Sequence, residues 1–202
     1  RPVSSAASDV YKRQILNLGN KIGKKEDFAE DHAFEPTYLP KDVSLEEVAK
    51  DNLLDVKAAV LSYGGYDFYK YALQNAETYK NIFWWLALSR PRGVLGDKFN
   101  PVDDPEIYKA ISPIYNIPEA STRKLPPQLL TAATKDRITP VQMIKEYGTA
   151  LEEKNQEFEF WEHINRNHAY LDSGRTLIAG NDFIRDGIPA LKVMMDFFDK
   201  RL

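Results

Sequence analysis

Three short apolar runs bounded by breakers stand out: AAVLSY at 58–63, closed by Gly64-Gly65; QLLTAAT at 128–134, preceded by Pro126-Pro127; and EFEFWEH at 157–163. The first two are continuously apolar or small, which predicts strands buried on both faces of a parallel sheet. The third alternates and predicts a strand nearer an edge. Between the last two, VQMIKEYGTALEEKN (141–155) places Met143, Ile144, Tyr147, Ala150 and Leu151 at helical spacing behind Pro140, a residue suited to a first turn. Strand, helix, strand is one βαβ unit, so the fold class is α/β with a parallel sheet and covering helices. Residues 187–201 place Ile188, Leu191, Met194, Met195 and Phe198 on one stripe, predicting a terminal helix that covers a face of that sheet.

The stretch from about 66 to 125 breaks this alternation. It is rich in aromatics (Tyr66, Phe68, Tyr69, Tyr71, Tyr79, Phe83, Trp84, Trp85), with helical patterns near 67–88 and 105–111, and reads as a helical cap inserted between two core strands. Further upstream, Ser44 with Glu47 forms a capping-box pattern inside a charged, proline-broken loop. Ile15, Leu16, Leu18 and Ile22 suggest the last turns of a helix entered part-way. Residues 1–14 (RPVSSAASDVYKRQ) show no apolar periodicity and no signal-peptide core, and read as foreign leader sequence joined near Ile15. The expectation is therefore a truncated domain over 15–202, with a bare sheet edge, poor solubility and a compartment that the sequence leaves open.

Composition narrows the classes of function. With 43% hydrophobic and 28% charged residues the chain has the balance of a globular domain with a core. A formal net charge of -3 with interspersed signs offers no basic face for nucleic acid. The longest apolar run, Ile82 to Leu88, falls well short of the roughly 20 residues of a membrane span. There are no cysteines, which excludes disulfides, thiolate metal sites and cysteine nucleophiles. Glu30, Asp31 and His32 are adjacent in a polar loop and converge poorly on one ion, so neither a metal nor another cofactor is expected.

Two residues carry the candidate chemistry. In TAATKDRITP (131–140) an apolar strand ends at Asp136, just before a helix. An acid there lies at the edge of a parallel sheet where ligands bind. Read singly, Asp136 is also an ordinary turn or helix-capping residue. In HINRNHAYLDSG (163–174), His168 follows the third strand. It suits a general base, and equally a surface histidine bonded to a carbonyl. Taken together, both residues follow consecutive strands of one βαβ unit and emerge at the same sheet edge, in the order acid then base.

The segments AAVLSYGGYDF (58–68), ISPIYNI (111–117), LPPQLLTAATKDRITP (125–140) and NRNHAYLDSG (165–174) resemble the C-terminal half of acetyl esterases and lipases of the α/β-hydrolase superfamily. The resemblance implies a serine hydrolase of small acyl esters, in which Asp136 orients and supports His168, and His168 deprotonates the nucleophile and protonates the leaving alkoxide. It departs from the pattern in one respect: no G-x-S-x-G elbow occurs in the sequence, so the chain alone is expected to be inactive. Two alternatives stand beside the esterase: a serine peptidase domain of the prolyl-oligopeptidase type, and a non-catalytic binding protein on the same fold. Gly64-Gly65 reads as a turn, and Phe83-Trp84-Trp85 as cap packing or a pocket wall.

Overall fold

The computed structural model describes residues 56–74, 99–172 and 180–202. The expectations for the leader, the helix remnant at 15–22, the Ser44 cap, the Glu30–His32 group, the aromatic run at 83–85 and the second half of the 67–88 helix lie outside these residues. The chain divides into two compact units, whose described residues are 56–66, 118–172 and 180–202 in one and 67–74 with 99–117 in the other.

The first unit is built on a parallel sheet of three strands in the order β1 (Ala59–Ser62), β2 (Gln128–Ala133), β3 (Phe158–His163). The register pairs Ser62 with Thr131 and Ala133 with His163, so the carboxyl ends of all three strands lie along one edge. Every residue of β2 is buried, as its continuous apolar pattern predicts. β1 departs from that expectation: only Leu61 is buried, because β1 is an outer strand of the described sheet and β2 alone has a neighbour on each side.

Helices cover both faces. The helix Val141–Glu153 turns Ile144, Tyr147 and Leu151 inward. Gly148 permits its close approach, since a Cβ there would come within 2.8 Å of the Phe158 ring. On the other face Leu129, Ala133 and Tyr170 pack with Ala190, Met194 and Phe197 of the terminal helix Ile188–Asp199, which follows a π-helical turn at Phe183–Gly187. Each fully buried Leu or Phe here is worth about 1.5–3 kcal/mol relative to exposure.

The buried stripe of the terminal helix corrects part of the sequence expectation: Met194 is buried and Phe198 packs against the core as expected, and three other positions do not. Ile188, Leu191 and Met195 are exposed, at 38%, 39% and 62%, and the inward face is Ala190, Met194 and Phe197. The helix is apolar around most of its circumference, so the pattern allowed two registers. Ala190 lets the backbone come close to Leu129 and Ala133, and that packing selects the face.

In the second unit, Phe68–Leu73 and Pro105–Ile111 form short helices joined through Phe68, Ala72, Tyr108 and Ile111. Ser112 follows the second of these. Its hydroxyl donates to the Tyr108 carbonyl at 2.6 Å and accepts from the Phe68 amide at 2.9 Å, fixing the start of the first helix beside its Asp67 cap. Among the described residues no helix is long and apolar enough to cross a membrane.

Candidate active site

The carboxyl edge of the sheet brings three loops together. After β2 the chain turns at Thr134–Asp136, and the Asp136 amide closes that turn on the Ala133 carbonyl at 3.1 Å. This turn is stitched to the loop after β3 by Thr134 N donating to His163 O (3.1 Å), Lys135 N to Arg166 O (2.9 Å) and Asn165 N to the Thr134 hydroxyl (2.8 Å). Asp136 and His168 are therefore carried on loops that share hydrogen bonds.

The Asp136 carboxyl is fully buried and its two oxygens have separate tasks. Oδ1 accepts the amides of Ile138 and Thr139, both at 2.8 Å, which is the turn-fixing use of an aspartate. Oδ2 accepts from His168 Nδ1 at 2.8 Å and from the Thr139 hydroxyl at 2.9 Å. Because a carboxylate only accepts, Nδ1 of His168 carries the proton, and the neutral ring has its basic lone pair on Nε2. Both uses of Asp136 open in the sequence are thus present in one carboxylate, while the helix that follows begins at Pro140 without a side-chain cap. His168 remains partly accessible, at 24%.

Three further residues complete the surroundings, and sequence reasoning did not single them out. The Thr139 hydroxyl lies 2.9 Å from the Tyr63 carbonyl and 3.2 Å from His168 Nδ1, besides its contact with Asp136. With one proton it donates to the carbonyl or to the carboxylate, and its oxygen offers Nδ1 a second acceptor. Tyr63, just past β1, lays its ring edge-on to His168 at 5.0 Å between centroids. The side chain of Asn181 donates to the His168 carbonyl. The signal for Thr139 was a hydroxyl three residues past the acid, and for Tyr63 its place at the same strand edge; Asn181 had none nearby in sequence.

The turn after β1 has one left-handed residue. The left-handed residue is Tyr63, with φ 38°, and not Gly64 or Gly65. Asn165 (φ 58°) and Ala169 (φ 61°) adopt the same region on either side of His168. Such backbone costs on the order of 1–3 kcal/mol at a non-glycine residue and concentrates at functional sites. Here it surrounds the histidine.

No protein-family profile matches the chain, and no curated protein does. Solved structures do. An acylaminoacyl peptidase from Pyrococcus horikoshii aligns over 72% of this chain and 20% of its own, at 20% identity and a TM-score of 0.50. The chain has the α/β-hydrolase fold. A propionate-bound esterase (Est2) from Thermogutta terrifontis covers 81% of this chain and 47% of its own, at 16% identity and a TM-score of 0.44. A truncated carbohydrate esterase from gut microbiota covers 56% and 35%, at 21% and 0.42. The chain thus spans about one fifth of the length of the acylaminoacyl peptidase. Within the α/β-hydrolase fold, the described sheet and its two helices form one part of the domain, with Asp136 and His168 at its carboxyl edge.

Proposed function

We propose that this chain carries the acid and the base of a serine ester hydrolase acting on small acyl esters, with Asp136 as the acid, His168 as the base and the serine outside the 202 residues. The observation that carries this reading is the 2.8 Å bond from His168 Nδ1 to the buried Asp136 carboxylate. That bond fixes the tautomer a general base needs, and it recurs in the chain order expected of the fold. In this reading His168 Nε2 takes the serine proton as Oγ bonds to the acyl carbon. It then returns that proton to the alkoxide as the ester C–O bond breaks, and water repeats the cycle to release the acid. The small-ester substrate class comes from the resemblance of the motifs.

A peptidase reading stands second, supported by the acylaminoacyl peptidase at a TM-score of 0.50, since the same acid and base serve amide cleavage. The test compares p-nitrophenyl acetate with an N-acetylaminoacyl p-nitroanilide as substrates for the protein that includes the reading frame upstream of Ile15. Preferential ester turnover that disappears in His168→Ala supports the esterase, and preferential anilide turnover the peptidase. No turnover of either, with no serine elbow upstream, leaves a binding protein.

A further inference from the structure

Asp186 is a fully buried carboxylate that takes no part in the chemistry described above. It lies in the π-helical turn before the terminal helix, far along the chain from the acid and base. Arg185 grips it through both oxygens, at 2.7 and 2.6 Å, and the Asp182 amide donates to Oδ2 at 2.9 Å. Arg166 Nε lies 2.5 Å from Oδ1 as an ion pair, without the alignment of a hydrogen bond. Arg166 sits two residues before His168, and its carbonyl accepts the Lys135 amide next to Asp136.

The segment that holds this turn, residues 180–187, makes two further contacts, one at the end of β3 and one on the histidine loop. His163 Nε2 lies 2.8 Å from the Asp186 carbonyl, and because a carbonyl only accepts, that nitrogen is the donor. Asn181 donates to the His168 carbonyl. The loop so held contains Asn165 and Ala169 at positive φ, a conformation that persists only where the surroundings over-determine it.

We infer that Asp186 is a positioning residue for His168: paired with Arg166, it anchors the strained loop that presents the imidazole to Asp136. Residues 180–187 act as a bracket, attached to the end of β3 at His163 and to the loop at Arg166 and His168. Two cations beside one buried carboxylate leave it ionised and compensated. The inference rests on the reading of His168 as the base.

The test is proton NMR and amide hydrogen exchange on the protein that includes the reading frame upstream of Ile15 and on its Asp186→Asn, Arg166→Met and Arg166→Lys variants. In Asp186→Asn and Arg166→Met, the amides of residues 165–169 exchange at least about tenfold faster while those of β2 keep their protection, and the low-field proton on His168 Nδ1 broadens or vanishes. Arg166→Lys, which keeps the charge, retains that proton. The inference is overturned if both charge-removing variants leave the loop amides within about twofold of wild type. It is equally overturned if β2 and the loop lose protection together, or if both variants fail to fold, since Asp186 then only stabilises the domain. A wild-type chain with no proton shared between His168 and Asp136 is a separate outcome, which removes the base reading itself.

Discussion

Asp136 and His168 stand 32 residues apart in sequence and meet through a single oxygen, Oδ2, because Oδ1 is committed to the amides of Ile138 and Thr139. That division predicts the effect of Asp136→Asn. The amide oxygen of the asparagine must take the Oδ1 position, where two N–H groups need an acceptor, which turns its NH2 toward His168 Nδ1. The imidazole then switches to the Nε2-protonated tautomer, visible in its nitrogen-15 shifts. In a nucleophile-bearing protein hydrolysis falls by on the order of 10⁴ with little change in fold.

Thr139 touches Tyr63, Asp136 and His168 through one hydroxyl. Thr139→Val keeps the shape and removes the hydroxyl, leaving Oδ2 with one partner fewer. We expect a loss of about 1 kcal/mol in urea unfolding, with Thr139→Ser restoring most of it. A Val variant as stable as wild type would show that the three contacts contribute nothing.

The observed face of the terminal helix gives a paired prediction. Phe197→Ala removes a ring that is 1% exposed beside Leu129 and Tyr170 and costs about 3–5 kcal/mol. Met195→Ala, on the face that the sequence pattern favoured, changes unfolding stability by about 0.5 kcal/mol or less. Equal effects would place the helix in the other register.

Asp186 sets a pH dependence. The Arg185 guanidinium bonded to it, helped by the Asp182 amide and the Arg166 charge and opposed by burial, holds its carboxyl down to about 2 from an ordinary 3.8. A carboxyl lowered on folding contributes stability that is complete above its unfolded pKa and is lost as pH falls from there toward the folded value. The stability gap between wild type and Asp186→Asn should therefore be constant above about pH 5 and shrink between about pH 4 and pH 2. Urea titrations at several pH values measure it, and a gap that widens in acid contradicts the assignment.

The βαβ unit was legible because β2 is continuously apolar and the 141–153 helix has one clear stripe. The meeting of Asp136 with His168 was legible because consecutive parallel strands bring their following loops to one edge. The terminal helix was read correctly at Met194 and Phe198 and misread at Ile188, Leu191 and Met195, where Ala190 and Phe197 face the core instead, a choice made by packing against β2 and not by periodicity. The left-handed conformation of Tyr63, a residue with a side chain beside two glycines, has no signal in the sequence. Asn181 and Asp186 act on the histidine loop across 13 and 20 residues respectively (Asn181 to His168, Asp186 to Arg166), through tertiary contacts that no local spacing encodes.

Fluorophosphonate labelling followed by peptide mapping tests the central claim most directly. The protein used must include the reading frame upstream of Ile15. The account predicts one labelled serine, within a G-x-S-x-G sequence upstream of this chain, and loss of labelling in His168→Ala with strong slowing in Asp136→Asn. Labelling that is absent, or that proceeds at the wild-type rate without His168, would contradict it.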